Sequence, residues 1–216
     1  AIESVLTDRP LFTPLAFSLM RLVTLAARAL MGLRVSGLEN VPQSGSFIVC
    51  PNHQSYLDPF LVVGTLPYRA FKRLFFVGAS EYFATPFTAW LAALMNVVPV
   101  DPDANLVRAM QAGGFGLRRN RILVLFPEGE RSPDGAPRRF KKGAAVLSHR
   151  LGVPILPVAI DGMQIYWPRG RPLQWRRLLP WAATRSAIEF GESIGPESGA
   201  GTPGEDRYTH LTGVLR

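Results

Sequence analysis

The chain has 216 residues, 47% of them apolar and 19% charged, so it can form one well-filled core, is short for two domains and is not intrinsically disordered. Twenty-four Lys and Arg against sixteen Asp and Glu give a net charge of +8, which indicates an anionic partner: nucleic acid, a lipid headgroup surface or a phosphorylated substrate. The single cysteine, Cys50, excludes an internal disulfide framework, and three scattered histidines exclude a His/Cys zinc cluster. Because the chain starts at Ala1 without a secretory signal, we expect a processed chain or a segment of a longer protein.

Residues 11–33 form an apolar stretch without acidic residues that is long enough to cross a bilayer, but Arg21 lies near its middle and Arg28 follows one heptad later. Ten Leu, Phe and Val residues favour insertion by about 3 to 6 kcal/mol, and two arginines at about 2.5 to 3.5 kcal/mol each cancel that gain. We therefore predict that residues 1–34 are an amphipathic, membrane-associating segment whose helix lies in the interface of the membrane.

A helical wheel predicts a polar side for this helix that contains both arginines together with Ser18 and Thr24. The opposite, apolar side is predicted to carry Phe12, Leu19, Val23 and Leu30. The alternative is a helix packed on its own domain with two solvated arginines.

Beyond Gly37, short apolar runs alternate with longer amphipathic or small-residue segments. Runs without polar alternation predict strands buried on both faces, at 47–50, 75–77, 97–100, 122–126, 155–160 and 187–190. Helices are predicted at 58–66, 80–95, 103–119 and 140–151, the last closed by Gly152. This alternation predicts an α/β fold with a mixed, largely parallel β-sheet flanked by helices, over residues 35–195. Residues 196–216 are predicted to be a turn-rich linker and a short C-terminal segment that begins a short helix.

A first polar cluster follows the run 47–50, where ligand sites collect at the carboxyl ends of strands. It places His53 and Asp58 five residues apart, and a carboxylate there can fix the histidine tautomer so that the other ring nitrogen acts as a general base. A structural interpretation stays open, because Asp58 before Pro59 resembles an N-cap and Ser55 with Asp58 matches a capping box.

A second polar cluster ends the run 122–126. It contains Glu128, Gly129, where backbone N–H groups can approach a ligand, and Arg131, which can bind phosphate with two hydrogen bonds. Lys141 and Lys142 follow at the predicted start of a helix, where the helix dipole adds to anion binding. The alternative is a surface loop whose Glu–Arg pair contributes little.

Together the two clusters resemble the glycerolipid acyltransferase family, which includes 1-acylglycerol-3-phosphate acyltransferases. The motifs that carry the resemblance are Asn52–Asp58, Phe126–Ser132 and Val153–Val158, in matching order and spacing, and the similarity covers roughly residues 35–195. The resemblance implies transfer of an acyl group from an acyl-CoA or acyl-carrier-protein thioester to a hydroxyl of a lysophospholipid such as 1-acylglycerol-3-phosphate, with no metal or redox cofactor.

By this resemblance His53 is the general base and Asp58 its partner. Backbone N–H groups of the turn after residues 47–50 are candidates for stabilising the oxyanion. The substrate-binding residues that the resemblance implies are Asn52, Ser55, Glu128, Gly129, Arg131, Lys141 and, in a motif lining the acyl site, Pro154.

The sequence departs from the family pattern in two places. The run 97–100 is followed by Asp101, and the arginine that commonly comes next in the family is missing. A phosphate contact is therefore missing or is supplied by Arg108, Lys141 or Lys142. Glu130 stands where the family more often has threonine. The pattern at residues 100–105 resembles acyltransferase domains joined to acyl-activating ligases, which suggests such a fused or partner domain.

Two functions from other classes remain open. Cys50 near His53 suggests a thiol-dependent hydrolase. A non-catalytic membrane-surface protein is suggested by the amphipathic start and by the tryptophans and arginines of residues 167–181. No nucleic-acid-binding module is recognisable, so nucleic acid is not an expected partner.

The positive charge is concentrated in one segment. Residues 135–188 contain ten Lys or Arg and one acid, a net +9, while the rest of the chain has fourteen basic and fifteen acidic residues, a net −1. We therefore expect this segment to face anionic lipids, and the protein to be peripheral or monotopic on the cytoplasmic face of a membrane.

Overall fold

A seven-stranded sheet forms the centre of the computed structural model, which describes residues 12–78, 85, 96–100, 106–178, 185–199 and 207–214. The strands are β1 Leu33–Ser36, β2 Ile48–Pro51, β3 Leu74–Gly78, β4 Val97–Pro99, β5 Ile122–Val124, β6 Ile155–Asp161 and β7 Ser186–Phe190. Their order is β1-β7-β6-β2-β5-β3-β4, and all neighbours are parallel except β6 and β7. The mixed, largely parallel sheet is confirmed, and β1 is a strand that the sequence did not predict.

Helices flank this sheet. They are α1 Phe12–Met31, α2 Asp58–Thr65, α3 Tyr68–Phe71, α4 Leu106–Leu117, α5 Gly143–Leu151 and α6 Arg207–Val214. The helix predicted at 140–151 closes as expected at Gly152, whose φ of +65° is the left-handed conformation that glycine adopts readily. The predicted helix 103–119 is present over its described part, and the predicted helix 80–95 lies outside the described residues apart from residue 85.

Strand β2 shows how the core is divided between the two faces of the sheet. Val49 packs with the residues beneath α1 and α2, whereas Ile48 and Cys50 pack with those beneath α4 and α5. Each fully buried Val, Leu, Ile or Phe stabilises the fold by about 1.5 to 3 kcal/mol. Burial on both faces explains why these runs lack polar alternation.

Helix α1 packs on α2 through a close contact at Gly64. A Cβ atom at Gly64 would lie 2.2 Å from Oγ1 of Thr24 and 2.6 Å from the carbonyl oxygen of Met20, so only glycine fits. Arg21 donates hydrogen bonds from Nη1 to the carbonyl oxygens of Gly64 (3.1 Å) and Thr65 (3.4 Å). These contacts satisfy carbonyls at the end of α2 and explain an arginine in the middle of an apolar helix.

The predicted sides of α1 are therefore wrong in part. Thr24, assigned to the polar side, is 2% exposed, and it is buried together with Ala16, Met20, Ala27 and Met31. The side turned away from the domain carries exposed leucines: Leu15, Leu19, Leu22, Leu25 and Leu30. The helix thus packs on its own domain and also presents an apolar stripe. By length and composition, residues Thr13–Met31 could also cross a membrane.

The topology brings the two predicted clusters together. β2 pairs with β5 in parallel, with Ile48 beside Leu123 and Val49 beside Val124. Residues 52–58 and 126–132 therefore leave neighbouring strands at the same edge of the sheet.

Candidate active site

The imidazole of His53 is held by Asp58. His53 Nδ1 lies 2.9 Å from Oδ2 of Asp58, whose side chain is fully buried while that of His53 is 13% exposed. The same oxygen accepts hydrogen bonds from the backbone N–H groups of Gln54 (2.6 Å) and Ser55 (2.7 Å). Three donors on one oxygen fix the carboxylate and, through it, the orientation of the ring.

Asp58 is the first residue of α2, and Leu57 is its N-cap, so the N-cap prediction for Asp58 is wrong by one residue. The side chain turns back toward His53 and the preceding backbone. Its bond to the Ser55 N–H is one half of the predicted capping box. The other half would be a hydrogen bond from the backbone N–H of Asp58 to the Ser55 hydroxyl. Among the described contacts this hydroxyl instead accepts the N–H of Leu57 at 3.2 Å.

The imidazole stacks on the ring of Phe126, with ring centroids 4.0 Å apart and an angle of 27° between the planes. Nδ1 is taken up by Asp58, so Nε2 is the ring nitrogen that can meet a substrate. Because Phe126 follows β5 and opens the second cluster, this stacking joins the second cluster to the His53 ring of the first.

The backbone of His53 is bound by the second cluster on both sides. Its N–H donates to Oε1 of Glu128 at 3.1 Å, and its carbonyl oxygen accepts the N–H of Ser132 at 2.8 Å. Glu128 is 3% exposed, and burial raises the pKa of its carboxyl, although the hydrogen bond from His53 and the charge of Arg138 oppose the shift. The two motifs therefore form one unit.

Arg131 lies on an aromatic platform beside this unit. Its guanidinium carbon is 3.6 Å from the centre of the Tyr56 ring, and the Tyr56 ring lies 5.0 Å from that of Trp167. Stacking on a ring face suits the flat guanidinium of Arg131.

Gly129 and Lys141 are in contact, and the anion site predicted from them stays a prediction. Gly129 has φ of +79°, and a Cβ atom there would lie 2.7 Å from Nζ of Lys141. The backbone N–H of Lys141 donates to the carbonyl oxygen of Pro127 at 2.7 Å, which fixes the residue against the loop. Lys142, which is exposed, is the N-cap of α5.

Other predicted residues lie elsewhere or contact the protein itself. Pro154 lies at the amino end of β6, where its carbonyl accepts the N–H of Ile48 at 3.0 Å, on the opposite edge of the sheet from His53. The amide of Asn52 binds the backbone of Ile160 through both its polar atoms, at 2.9 and 2.6 Å. The Ser55 hydroxyl donates to the carbonyl of Trp167 at 3.1 Å. Their substrate contacts stay predictions.

The backbone N–H groups of the turn after β2 already have partners. Those of His53, Gln54 and Ser55 bind carboxylates, as above, and that of Tyr56 donates to the carbonyl of Trp167 at 3.2 Å. The N–H of Leu57 binds the Ser55 hydroxyl. Residues 53–57 therefore have no unbound backbone N–H group that could stabilise the oxyanion as expected.

Several residues that build the site were not singled out from the sequence. Gln54 connects the turn to the backbone of Gly135 (2.9 Å) and Met163 (3.1 Å). Tyr56 and Phe126 stand inside the quoted motifs, so their roles could have been found there. Trp167 lies far along the chain, and nothing in its neighbours indicates the contact.

The structure removes support for a thiol nucleophile. Cys50 is 3% exposed in the core beneath α4 and α5, and burial raises the pKa of its thiol. Among the described residues, no three His, Cys, Asp or Glu side chains lie close enough together to hold a metal ion.

Comparison with known proteins identifies the family to which this chain is similar. Residues 32–161 match the family model described as Acyltransferase. The chain is 32% identical over 147 residues to a 1-acyl-sn-glycerol-3-phosphate acyltransferase of Pseudomonas aeruginosa, covering 66% of this chain and 54% of the relative. It is 31% identical over 159 residues to the human 1-acyl-sn-glycerol-3-phosphate acyltransferase alpha, covering 69% and 53%.

A solved structure extends the similarity to the fold. The crystal structure of the 1-acyl-sn-glycerophosphate (LPA) acyltransferase PlsC from Thermotoga maritima superposes with a TM-score of 0.69 at 27% identity, over 92% of this chain and 74% of that one. The chain spans about half the length of the two curated relatives above, and 38% of the length of the chloroplastic relative LPAT1 of Arabidopsis thaliana.

Proposed function

The chain belongs to the acyltransferase family, and we propose that it transfers a fatty acyl group from the thioester of acyl-CoA or an acyl-carrier protein to a hydroxyl of a lysophospholipid such as 1-acylglycerol-3-phosphate. One observation carries the proposal: His53 is held through its ring by Asp58 and through its backbone by Glu128 and Ser132. The names of the relatives support the acceptor class.

In the proposed reaction, Nε2 of His53 removes the proton from the acceptor hydroxyl as the hydroxyl oxygen attacks the thioester carbonyl carbon. The tetrahedral intermediate collapses, the carbon–sulfur bond breaks, and the imidazolium gives its proton to the departing thiolate. The products are the ester and the free thiol. Asp58 keeps Nδ1 protonated and stabilises the imidazolium between the two proton transfers.

The acceptor phosphate meets the cationic side of the site. Arg131, stacked on Tyr56, and Lys141, over Gly129, supply positive charge beside the loop that holds His53. Removing Arg131 should weaken a phosphorylated acceptor more than an uncharged one. Equal losses with both acceptors would contradict a phosphate contact.

Membrane association is supported by the exposed side of α1. Leu15 and Leu22 are 68% and 64% exposed, and together with Leu19 and Leu25 they form one stripe along the helix. The 3₁₀ helix Trp175–Leu178 lies next to α1, and Trp175 is 59% exposed. We propose that these residues enter the headgroup region of the cytoplasmic leaflet, where the basic segment meets anionic lipids.

The test is a matrix of donors and acceptors. The protein is incubated with radiolabelled palmitoyl-CoA or palmitoyl-acyl-carrier protein and with lysophosphatidic acid, lysophosphatidylcholine, lysophosphatidylethanolamine or monoacylglycerol. We expect the label to appear in the acylated product of lysophosphatidic acid at least. Release of free fatty acid without a labelled lipid would instead indicate a hydrolase.

A further inference from the structure

Glu130 lies between two arginines that come from different parts of the chain. Its Oε1 is 2.6 Å from Nη1 of Arg138, and its Oε2 contacts Nη1 of Arg169. The three side chains are 39 to 47% exposed. One carboxylate thus engages two guanidinium groups, one at each oxygen.

Two members of this cluster are close in sequence to residues that build the candidate active site. Glu130 is two residues after Glu128, which binds the backbone of His53, and one before Arg131. Arg169 is two residues after Trp167, whose carbonyl binds Ser55 and Tyr56. The charge of Arg138 acts on the carboxyl of Glu128.

The chemistry of this cluster of Glu130, Arg138 and Arg169 suggests what the carboxylate does. A guanidinium binds carboxylate and phosphate oxygens with the same geometry, so Glu130 uses the N–H groups that would otherwise bind a phosphate. Solvent-exposed ion pairs of this kind contribute little to folding. With one carboxylate and two guanidinium groups the cluster keeps a net charge of +1 instead of +2, so the carboxylate weakens its attraction for a second anion.

We propose that Glu130 sets how strongly the site prefers a phosphomonoester acceptor, because by occupying Arg138 and Arg169 it lowers, without removing, the affinity for the acceptor phosphate. The inference rests on the proposed acyl transfer to a lysolipid. Glutamine at this position cannot neutralise the two arginines, so an E130Q variant offers both guanidinium groups to an incoming phosphate.

The experiment compares the acylation of 1-oleoylglycerol-3-phosphate with that of uncharged 1-oleoylglycerol, both in mixed micelles of a neutral detergent. For E130Q we expect the ratio of kcat/KM for the two acceptors to rise about tenfold in favour of the phosphate. Replacing Arg138 and Arg169 by glutamine in the E130Q background should remove that gain. A ratio that is unchanged or lower in active E130Q enzyme overturns the inference.

Glu192→Gln is the matched control, since it removes an exposed acid at the opposite edge of the sheet, between the end of β7 and the bridge of Ile194 to Ile155. It should leave the ratio unchanged, and an equal rise would overturn the inference by showing a general charge effect. Binding of 1-oleoylglycerol-3-phosphate without a donor, measured by calorimetry, gives a second readout that needs no turnover. E130Q should bind about tenfold more tightly. Equal binding would contradict the selectivity role, while a complete lack of acyl transfer would contradict the proposed function alone.

Discussion

The carboxylate of Glu128 accepts the backbone N–H of His53 at 3.1 Å, across 75 residues of sequence. This bond connects the loop after β5 to the loop that carries His53, the proposed general base. We therefore expect Glu128 to position His53, and this role can be tested separately from the predicted contact of Glu128 with the acceptor.

Glu128→Ala should lower kcat about 100-fold, because a displacement of His53 by about 1 Å is enough to impair proton transfer. Glu128→Gln keeps an oxygen that can accept the N–H of His53 and should retain kcat within about threefold. Steady-state kinetics with a phosphorylated acceptor measures both. If Glu128→Gln mainly raised KM for that acceptor, the residue would bind the acceptor and the positioning role would be wrong.

Because Glu128 is buried, we also expect the stability of the folded protein to depend on pH through this carboxyl. Because burial raises the pKa of its carboxyl, the folded protein holds this proton more tightly than the unfolded chain does. Glu128 therefore stabilises the folded protein at pH values below the pKa that its carboxyl has in the unfolded chain. This stabilisation is lost as pH rises through the higher pKa that the carboxyl has in the folded protein. Urea denaturation at pH 4 to 8 should show Glu128→Gln gaining stability relative to the parent protein as pH rises. A difference that is constant across this range would show that the pKa is not raised.

Cys50→Ala should leave acyl transfer intact. The thiol is buried in the core beneath α4 and α5, where burial raises its pKa, so it lacks both the exposure and the lowered pKa of a nucleophilic thiol. The variant should unfold at a lower urea concentration and keep the kcat of the parent protein. Loss of acyl transfer in the folded variant would restore the thiol mechanism.

The leucine stripe of α1 should determine membrane binding. Replacing Leu15, Leu19 and Leu22 by serine should abolish flotation with lipid vesicles, since each buried leucine contributes about 1.5 to 3 kcal/mol. The control replaces Leu106 and Val107, which are exposed on α4, and should float like the parent protein. Equal losses in the two variants would show that the effect is not specific to α1.

The sequence predicted the central strands β2 and β5 because they are buried on both faces and therefore lack polar alternation. β1 was missed since Leu33–Ser36 is a short edge strand in which Leu33 alone is fully buried. The sides of α1 were assigned incorrectly because a helical wheel does not include the carbonyl oxygens of α2 that bind Arg21.

Within the site, contacts over a short sequence distance were predictable and the distant ones were not. The His53–Asp58 pair spans five residues and could be inferred from the chemistry of a strand-to-helix turn. The contact of Arg169 with Glu130 spans 39 residues and depends on how two loops meet, so no local pattern contains it.

His53 is the proposed general base, and the turnover of His53→Ala with palmitoyl-CoA and 1-oleoylglycerol-3-phosphate tests this role. We predict a fall in kcat of about 10² to 10⁴ while vesicle binding is unchanged. His210→Ala, on α6, is the matched control and should keep the parent turnover. A His53→Ala protein that is folded, bound to vesicles and as active as the parent would show that His53 is not the general base.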